Sequence, residues 1–292
     1  MRNFDYKGTN FMQTVKLSNG VEMPMLGFGV YQIEPGVETE NAVKTALEVG
    51  YRMIDTAQAY ANEESVGNAI KASGIPREEI FLVTKIWISN CGEQKAYQSI
   101  LESLKKLQTD YIDLLLIHQP FGDYYGTYRA MEKAYKEGKL RAIGVSNFYP
   151  DRLVDLCCFV ETKPMINQVE THVFYQQTKE NEIMKKYNCQ IMSWAPLAEC
   201  QNNLFTNEIL VPISNKYGKS VAQVALRFLL QEGIVIIPKS VRRERMEQNF
   251  NIFDFELAED DMNKIRSLDM GKSLFIDHRS PETVDFLVNY KL

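Results

Sequence analysis

The feature that most constrains this chain is a rhythm. Short apolar runs recur with helical patterns between them, at 26–30, 52–55, 81–85, 112–117, 142–145, 165–169, 191–195 and 234–238. Their mean step is roughly 30 residues, the length of one strand-plus-helix unit. A continuous apolar run is the pattern of a strand buried on both faces, as in parallel sheets. The segments 39–49, 63–72, 96–107, 128–136 and 220–231 carry apolar residues at the helical period. Gly50, Gly74, Gly138 and Gly233 stand where such helices end, and Ser220 stands where one begins. Eight strand–helix units predict an α/β chain folded as a (β/α)8 TIM barrel. The 292 residues fit that fold as one domain.

The remaining segments complete the plan. Residues 15–23 read as an N-terminal β-hairpin around Asn19-Gly20, plugging the bottom of the barrel. Residues 1–14 form an N-terminal extension, read as flexible, and 15–292 a single barrel domain. The step between the last two strands is long, so an insertion is expected near 196–215. Residues 271–292 form a C-terminal loop and tail. The rival fold is an open doubly wound sheet, whose fingerprint is Gly-x-Gly-x-x-Gly after a strand. Here Gly27-Phe28-Gly29 is followed by Val30-Tyr31-Gln32, so the third Gly is missing. Tight backbone packing at a strand end is the simpler reading of Gly27 and Gly29.

Composition excludes several classes of function. A net charge of −5 argues against a nucleic-acid surface. No run of about 18 apolar residues is present to span a membrane, and the first residues lack an apolar signal region. Five cysteines without framework spacing suit a reduced, cytoplasmic protein.

In such barrels chemistry sits at the C-terminal ends of the strands. Those ends are polar here: Asp55 followed by Tyr60, Thr84-Lys85, His118-Gln119, Ser146-Asn147, Asn167-Gln168, Trp194 and Lys239-Ser240. Each has a structural alternative when taken alone: a turn cap, a snorkelling Lys, a loop aromatic, a hydrogen-bonded core His. Their convergence on one rim favours a site. A free phenol has a pKa of about 10, and a nearby ammonium is expected to lower it. A carboxylate beyond the ammonium would hold it in place. Tyr60 could then protonate a carbonyl oxygen that gains negative charge, with His118 giving a second hydrogen bond. The arrangement lacks a nucleophile or metal; carbonyl reduction needs neither, only a hydride donor. Metal hydrolysis, the competing barrel chemistry, needs clustered ligands. The three histidines, at 118, 172 and 278, form no His-x-His pair, so no metal is expected. The cationic stretch 238–245 opens a helix, a place suited to a phosphate.

These stretches together make the sequence similar to the aldo-keto reductase family over residues 15–290, and to its bacterial diketogluconate reductase-like members. The resemblance rests on 26–29, the Asp55–Tyr60 segment, 83–85, 113–118, 144–148, Asn167-Gln168 and 237–240 through Arg245 and Asn249. It implies Tyr60 as general acid, Lys85 as its partner, Asp55 as the carboxylate that orients the Lys, and His118 as the carbonyl-orienting residue. It implies that Ser146, Asn147 and Gln168 hold the nicotinamide carboxamide, that Trp194 stacks on the ring, and that Leu197 belongs to the loop over the pyrophosphate. Lys239, Ser240 and Arg245 match contacts to the 2′-phosphate; Gln248 and Asn249 match adenine contacts. Trp194 is more often Tyr in the family, and Gln248 replaces the commoner Glu. Tyr31, Trp87 and Gln119 match the substrate pocket. Gln119 stands where many members have Trp, and Val30-Tyr31 replaces the common Thr-Trp, so the substrate does not carry over.

The expected function is NADPH-dependent reduction of aldehydes and ketones in the cytoplasm. The expected partner is a small carbonyl compound, with no nucleic acid or membrane, and the chain is expected to be a monomer or weak homodimer. The alternative is a cofactor-sensing regulatory subunit on the same barrel.

Overall fold

Positions 81–86 and 112–117 are buried throughout, as a strand needs when helices cover its outer face and packed side chains its inner one. The computed structural model describes residues 13–290. A hairpin comes first, β1 (Thr14–Lys16) paired antiparallel with β2 (Glu22–Pro24). Eight strands follow in one sheet: β3 (Phe28–Gly29), β4 (Met53–Asp55), β5 (Phe81–Ile86), β6 (Ile112–Ile117), β7 (Leu140–Ser146), β8 (Ile166–Glu170), β9 (Gln190–Trp194) and β10 (Val235–Ile236). Spatial order is chain order, and every neighbouring pair is parallel.

The sheet closes on itself as a barrel. Leu26 bridges Ile236 in parallel, the Gly27 N–H donates to the Ile236 carbonyl at 2.8 Å, and the Ile236 N–H donates to the Met25 carbonyl at 2.9 Å. A Cβ on Gly29 would lie 3.0 Å from the Ile237 carbonyl oxygen, and one on Gly27 would lie 2.5 Å from the Met53 side chain. Close packing near the closing seam, against the Ile237 backbone at Gly29 and against the Met53 and Ile237 side chains at Gly27, leaves little room for a Cβ at either glycine. The strands β3 and β10 are two residues each, shorter than the apolar runs at 26–30 and 234–238.

Helices Val37–Val49, Glu63–Ser73, Glu93–Lys106, Tyr124–Lys136, Pro150–Phe159, Thr178–Lys186 and Val221–Gln231 connect the strands in turn. Gly50, Gly74, Gly138 and Gly233 follow helix ends at positive φ, as expected. Ser220 caps its helix: its hydroxyl accepts from the Gln223 N–H, and the Gln223 side chain accepts from the Ser220 N–H. The expected insertion holds short turns and a helix, Leu210–Tyr217. Helices Arg243–Phe250 and Glu259–Arg266 follow β10, and Pro281–Asn289 ends the tail. The hairpin lies at the N-terminal end of the barrel. Met23 and Leu17 enter the core, and Asn19 Nδ2 donates to the Arg141 carbonyl near the start of β7. Most of the expected extension, residues 1–12, lies outside the described part; Thr14 already pairs with Pro24. Among the described residues no helix is long and apolar enough to cross a membrane.

Candidate active site

The polar strand ends meet at the C-terminal rim. Thr84 turns outward and its hydroxyl donates to Glu63 Oε1 on the covering helix at 2.7 Å. Alternation then turns Lys85 inward, where its side chain has no exposed surface. Its Nζ donates to Asp55 Oδ1 at 2.5 Å, to the Thr56 carbonyl at 2.8 Å and to the Tyr60 hydroxyl oxygen at 3.3 Å. These bonds use all three ammonium protons. The second Asp55 oxygen accepts from Gln168 Nε2 at 2.8 Å, which ties β4 to β8 across the barrel.

Tyr60 ends a short 3-10 turn, Gln58–Tyr60, braced on both sides. Gln58 donates to Ser103 and accepts from the Trp87 N–H and the Asn90 side chain. Asn62 donates to the Val30 carbonyl and accepts from the Thr56 hydroxyl. The phenol's direction is thus set by two side chains that sequence reasoning passed over. Their only signal was position, on either side of Tyr60 in a turn.

The electrostatics differ from expectation in one respect. Burial, then the Asp55 carboxylate, push the Tyr60 phenol well above its usual range instead of lowering it. Lys85 gives its shortest bond to Asp55, so the phenol faces a nearly compensated pair and desolvation dominates. Burial lowers the Lys85 ammonium while Asp55 opposes that shift. Tyr60 is therefore protonated at neutral pH, the form a proton donor needs. The Lys85 N–H on its oxygen would stabilise the phenolate after transfer. Burial, helped by Lys85 and His278, holds the His118 imidazole well below its usual range, so it is neutral. Its ring stands edge-on to Tyr60 at 5.6 Å and to Trp87 at 5.1 Å.

Ser146 and Gln168 are register partners on β7 and β8, and the Ser146 hydroxyl donates to the Gln168 carbonyl. Asn147 has a left-handed backbone, with φ of 62°. Its Nδ2 donates to the His118 carbonyl at 3.1 Å and to Gln119 Oε1 at 3.3 Å; its Oδ1 accepts from Trp194 Nε1 at 2.8 Å. The ends of β6, β7, β8 and β9 are thereby cross-linked beside Tyr60. Leu197 is half-buried in a strained loop. Ala195, Ala198, Glu199, Cys200, Asn202 and Asn203 all have φ between 46° and 65°, a region costly for residues with a Cβ.

Lys239, Ser240, Arg245, Gln248 and Asn249 form a second group after β10. Ser240 and Asn249 are buried, whereas Lys239, Arg245 and Gln248 are exposed. Arg243 is paired with Glu48 and Glu247. Among the described residues Lys239, Arg242 and Arg245 have no ion pair, at the N-terminal end of helix Arg243–Phe250. Unpaired cations there suit a phosphate-bearing cofactor.

Beside Tyr60, the Tyr31 ring lies 5.0 Å away, Trp87 is buried against His118, and Gln119 is tied to Asn147. The structure adds Phe121, Leu287 and His278. Phe121 and Leu287 pack with Trp87. His278 stacks on Phe121, and burial pushes its imidazole down to about 4. His278 and Leu287 were missed because a tail whose helix buries one apolar position carries no periodic signal, and Phe121 because it stands in the loop after β6, outside any repeating pattern.

The sequence profile of the Aldo/keto reductase family matches residues 25–270. The chain belongs to the aldo/keto reductase family. It is 49% identical over 261 residues to a glyoxal reductase of Bacillus subtilis (strain 168), covering 89% of this chain and 94% of that protein. A crystal structure of MGS-M4, an aldo-keto reductase enzyme from a Medee basin deep-sea metagenome library, matches with a TM-score of 0.89 at 48% identity. That match covers 91% of this chain and 98% of the other. A Bombyx mori aldo-keto reductase in complex with NADP matches with a TM-score of 0.84 at 33% identity, over 91% of this chain and 95% of that one. As a member of this family the chain is an oxidoreductase, and the family's reaction is carbonyl reduction with NADPH.

Proposed function

We propose that the protein reduces short aldehydes, with glyoxal the first candidate, and that residues 15–292 act as one catalytic unit. The observation that carries this reading is the buried chain Asp55–Lys85–Tyr60, with neutral His118 beside it. NADPH, when bound, supplies the hydride to the carbonyl carbon. Tyr60 donates its proton to the carbonyl oxygen, and Lys85 holds the resulting phenolate until water restores the proton. Asp55 keeps Lys85 in place, and His118 orients the carbonyl by hydrogen bond.

Ser146, Asn147 and Gln168 would hold the nicotinamide amide, Trp194 would lie against the ring, and Leu197 would sit over the pyrophosphate. Lys239, Ser240 and Arg245 would take the 2′-phosphate, and Gln248 and Asn249 the adenine. Tyr31, Trp87 and Gln119 would bound the carbonyl pocket. The five cysteines are free, which fits a reducing cytoplasm.

The test is NADPH oxidation by purified protein with glyoxal and a panel of short aldehydes. Turnover within the panel supports the reading. Tight NADPH binding with no turnover on any aldehyde would favour the cofactor-sensing alternative.

A further inference from the structure

Glu170 ends β8 and is the register partner of Trp194 on β9. Its residue is 4% exposed, and a buried carboxylate must find hydrogen-bond donors. It finds three. His172 Nε2 lies 3.0 Å from Oε1, and His172 Nδ1 accepts from the Phe174 N–H, so Nε2 carries the proton and donates it. The other two donors come from the C-terminal tail: the Ser273 hydroxyl at 2.5 Å and the Leu274 N–H at 2.8 Å. The Ser273 oxygen also accepts from the N–H groups of Phe275 and Ile276, at 2.9 and 3.0 Å. One hydroxyl thus binds the barrel and shapes the turn that follows.

That turn decides where the tail goes. It sets the Phe275 ring 5.4 Å from the Trp194 indole and 6.2 Å from His172. Trp194 is also held by Asn147, which accepts from its indole N–H. Further along, His278 meets Phe121 and Tyr149, and Leu287 meets Trp87 and Phe121. Everything the tail contributes to the carbonyl pocket lies downstream of the knot at Ser273.

We propose that Glu170 is a positioning residue for the reduction: through Ser273 and Leu274 it pins the tail so that Phe275 backs Trp194, and so governs cofactor hold and closure of the carbonyl pocket. The inference rests on the cofactor reading of Trp194 given above. Glu170 touches neither the reacting carbonyl nor Tyr60. It acts through a turn and an aromatic pair, and its effect falls on release and on KM.

Four variants test it: Glu170→Gln, Ser273→Ala, the double variant that combines these two, and Ser273→Thr. NADPH release is followed by stopped-flow tryptophan fluorescence, with steady-state kinetics on glyoxal and thermal melts alongside. A hydrogen bond to a charged group corresponds to a change of about tenfold or more. Glu170→Gln and Ser273→Ala are expected to speed NADPH release and raise the glyoxal KM by about that factor, with a smaller effect on kcat. The double variant should add little to either alone, because both cut the same link. Ser273→Thr, which keeps the hydroxyl, should recover most of the loss. Lower melting temperatures with parental release rate and KM would overturn the proposal and leave Glu170 a purely structural group. A parent protein that shows no NADPH binding would instead overturn the function on which the proposal rests.

Discussion

Asp55→Asn isolates the buried pair at the centre of the site. It removes the counter-charge 2.5 Å from Lys85 Nζ while keeping the shape and an acceptor oxygen. Breaking one partner of a buried pair typically costs about 3–5 kcal/mol. A second limit comes from titration. Lys85 can escape the uncompensated charge by losing its proton, and from the ordinary lysine value of 10.5 that costs about 5 kcal/mol at pH 7, at about 1.4 kcal/mol per pH unit. At pH 9 the same escape costs only about 2 kcal/mol. Burial has lowered Lys85 in the folded state, so between that value and 10.5 the unfolded chain binds more protons and stability rises with pH. Asp55 opposes the lowering, so removing it starts the rise at lower pH. Urea unfolding of parent and variant at pH 7 and pH 9 measures the effect. The expected loss is about 3–5 kcal/mol at pH 7 and clearly smaller at pH 9. Equal losses at both pH values, or a loss below about 1 kcal/mol at pH 7, would refute the buried charge pair.

Other outcomes follow from the same geometry. Arg245→Ala is expected to weaken NADPH binding about tenfold or more at low salt and to leave NADH almost untouched; equal effects on the two dissociation constants would remove the 2′-phosphate role. Trp194→Ala should abolish most of the tryptophan quenching on NADPH binding; a fully retained quench would point to Trp87, the only other Trp. Ser220→Ala should cost about 1 kcal/mol in urea unfolding through loss of the capping box, without changing turnover; no loss would mean the cap contributes nothing.

The barrel was legible because its signal is repeated. Strands at 81–86 and 112–117 are buried throughout, and runs of that kind are hard to place elsewhere than in a parallel sheet. Two connecting helices carried no comparable signal. Pro150–Phe159 buries three residues and Thr178–Lys186 only Met184, too few to trace an apolar face. The site was legible where chemistry-bearing types stand at strand ends, as with Asp55, Lys85 and His118. Glu170 was missed although it stands two residues after Gln168 and so shares its face of β8. The direction of the Tyr60 shift was missed for another reason. It depends first on how deeply the phenol is buried and then on the nearness of the Asp55 carboxylate, and no sequence pattern encodes either.

Tyr60→Phe tests the central claim most directly, because it removes one oxygen and leaves the residues proposed to hold the cofactor intact. NADPH affinity and glyoxal reduction should be measured on the same preparation across pH 6 to 9. With the phenol pushed well above its usual range, the parent should lose no proton-donating capacity over that interval. The account predicts unchanged NADPH affinity and a fall in turnover of about 10²–10⁴-fold at each pH. Near-parental turnover by the Phe variant would contradict it.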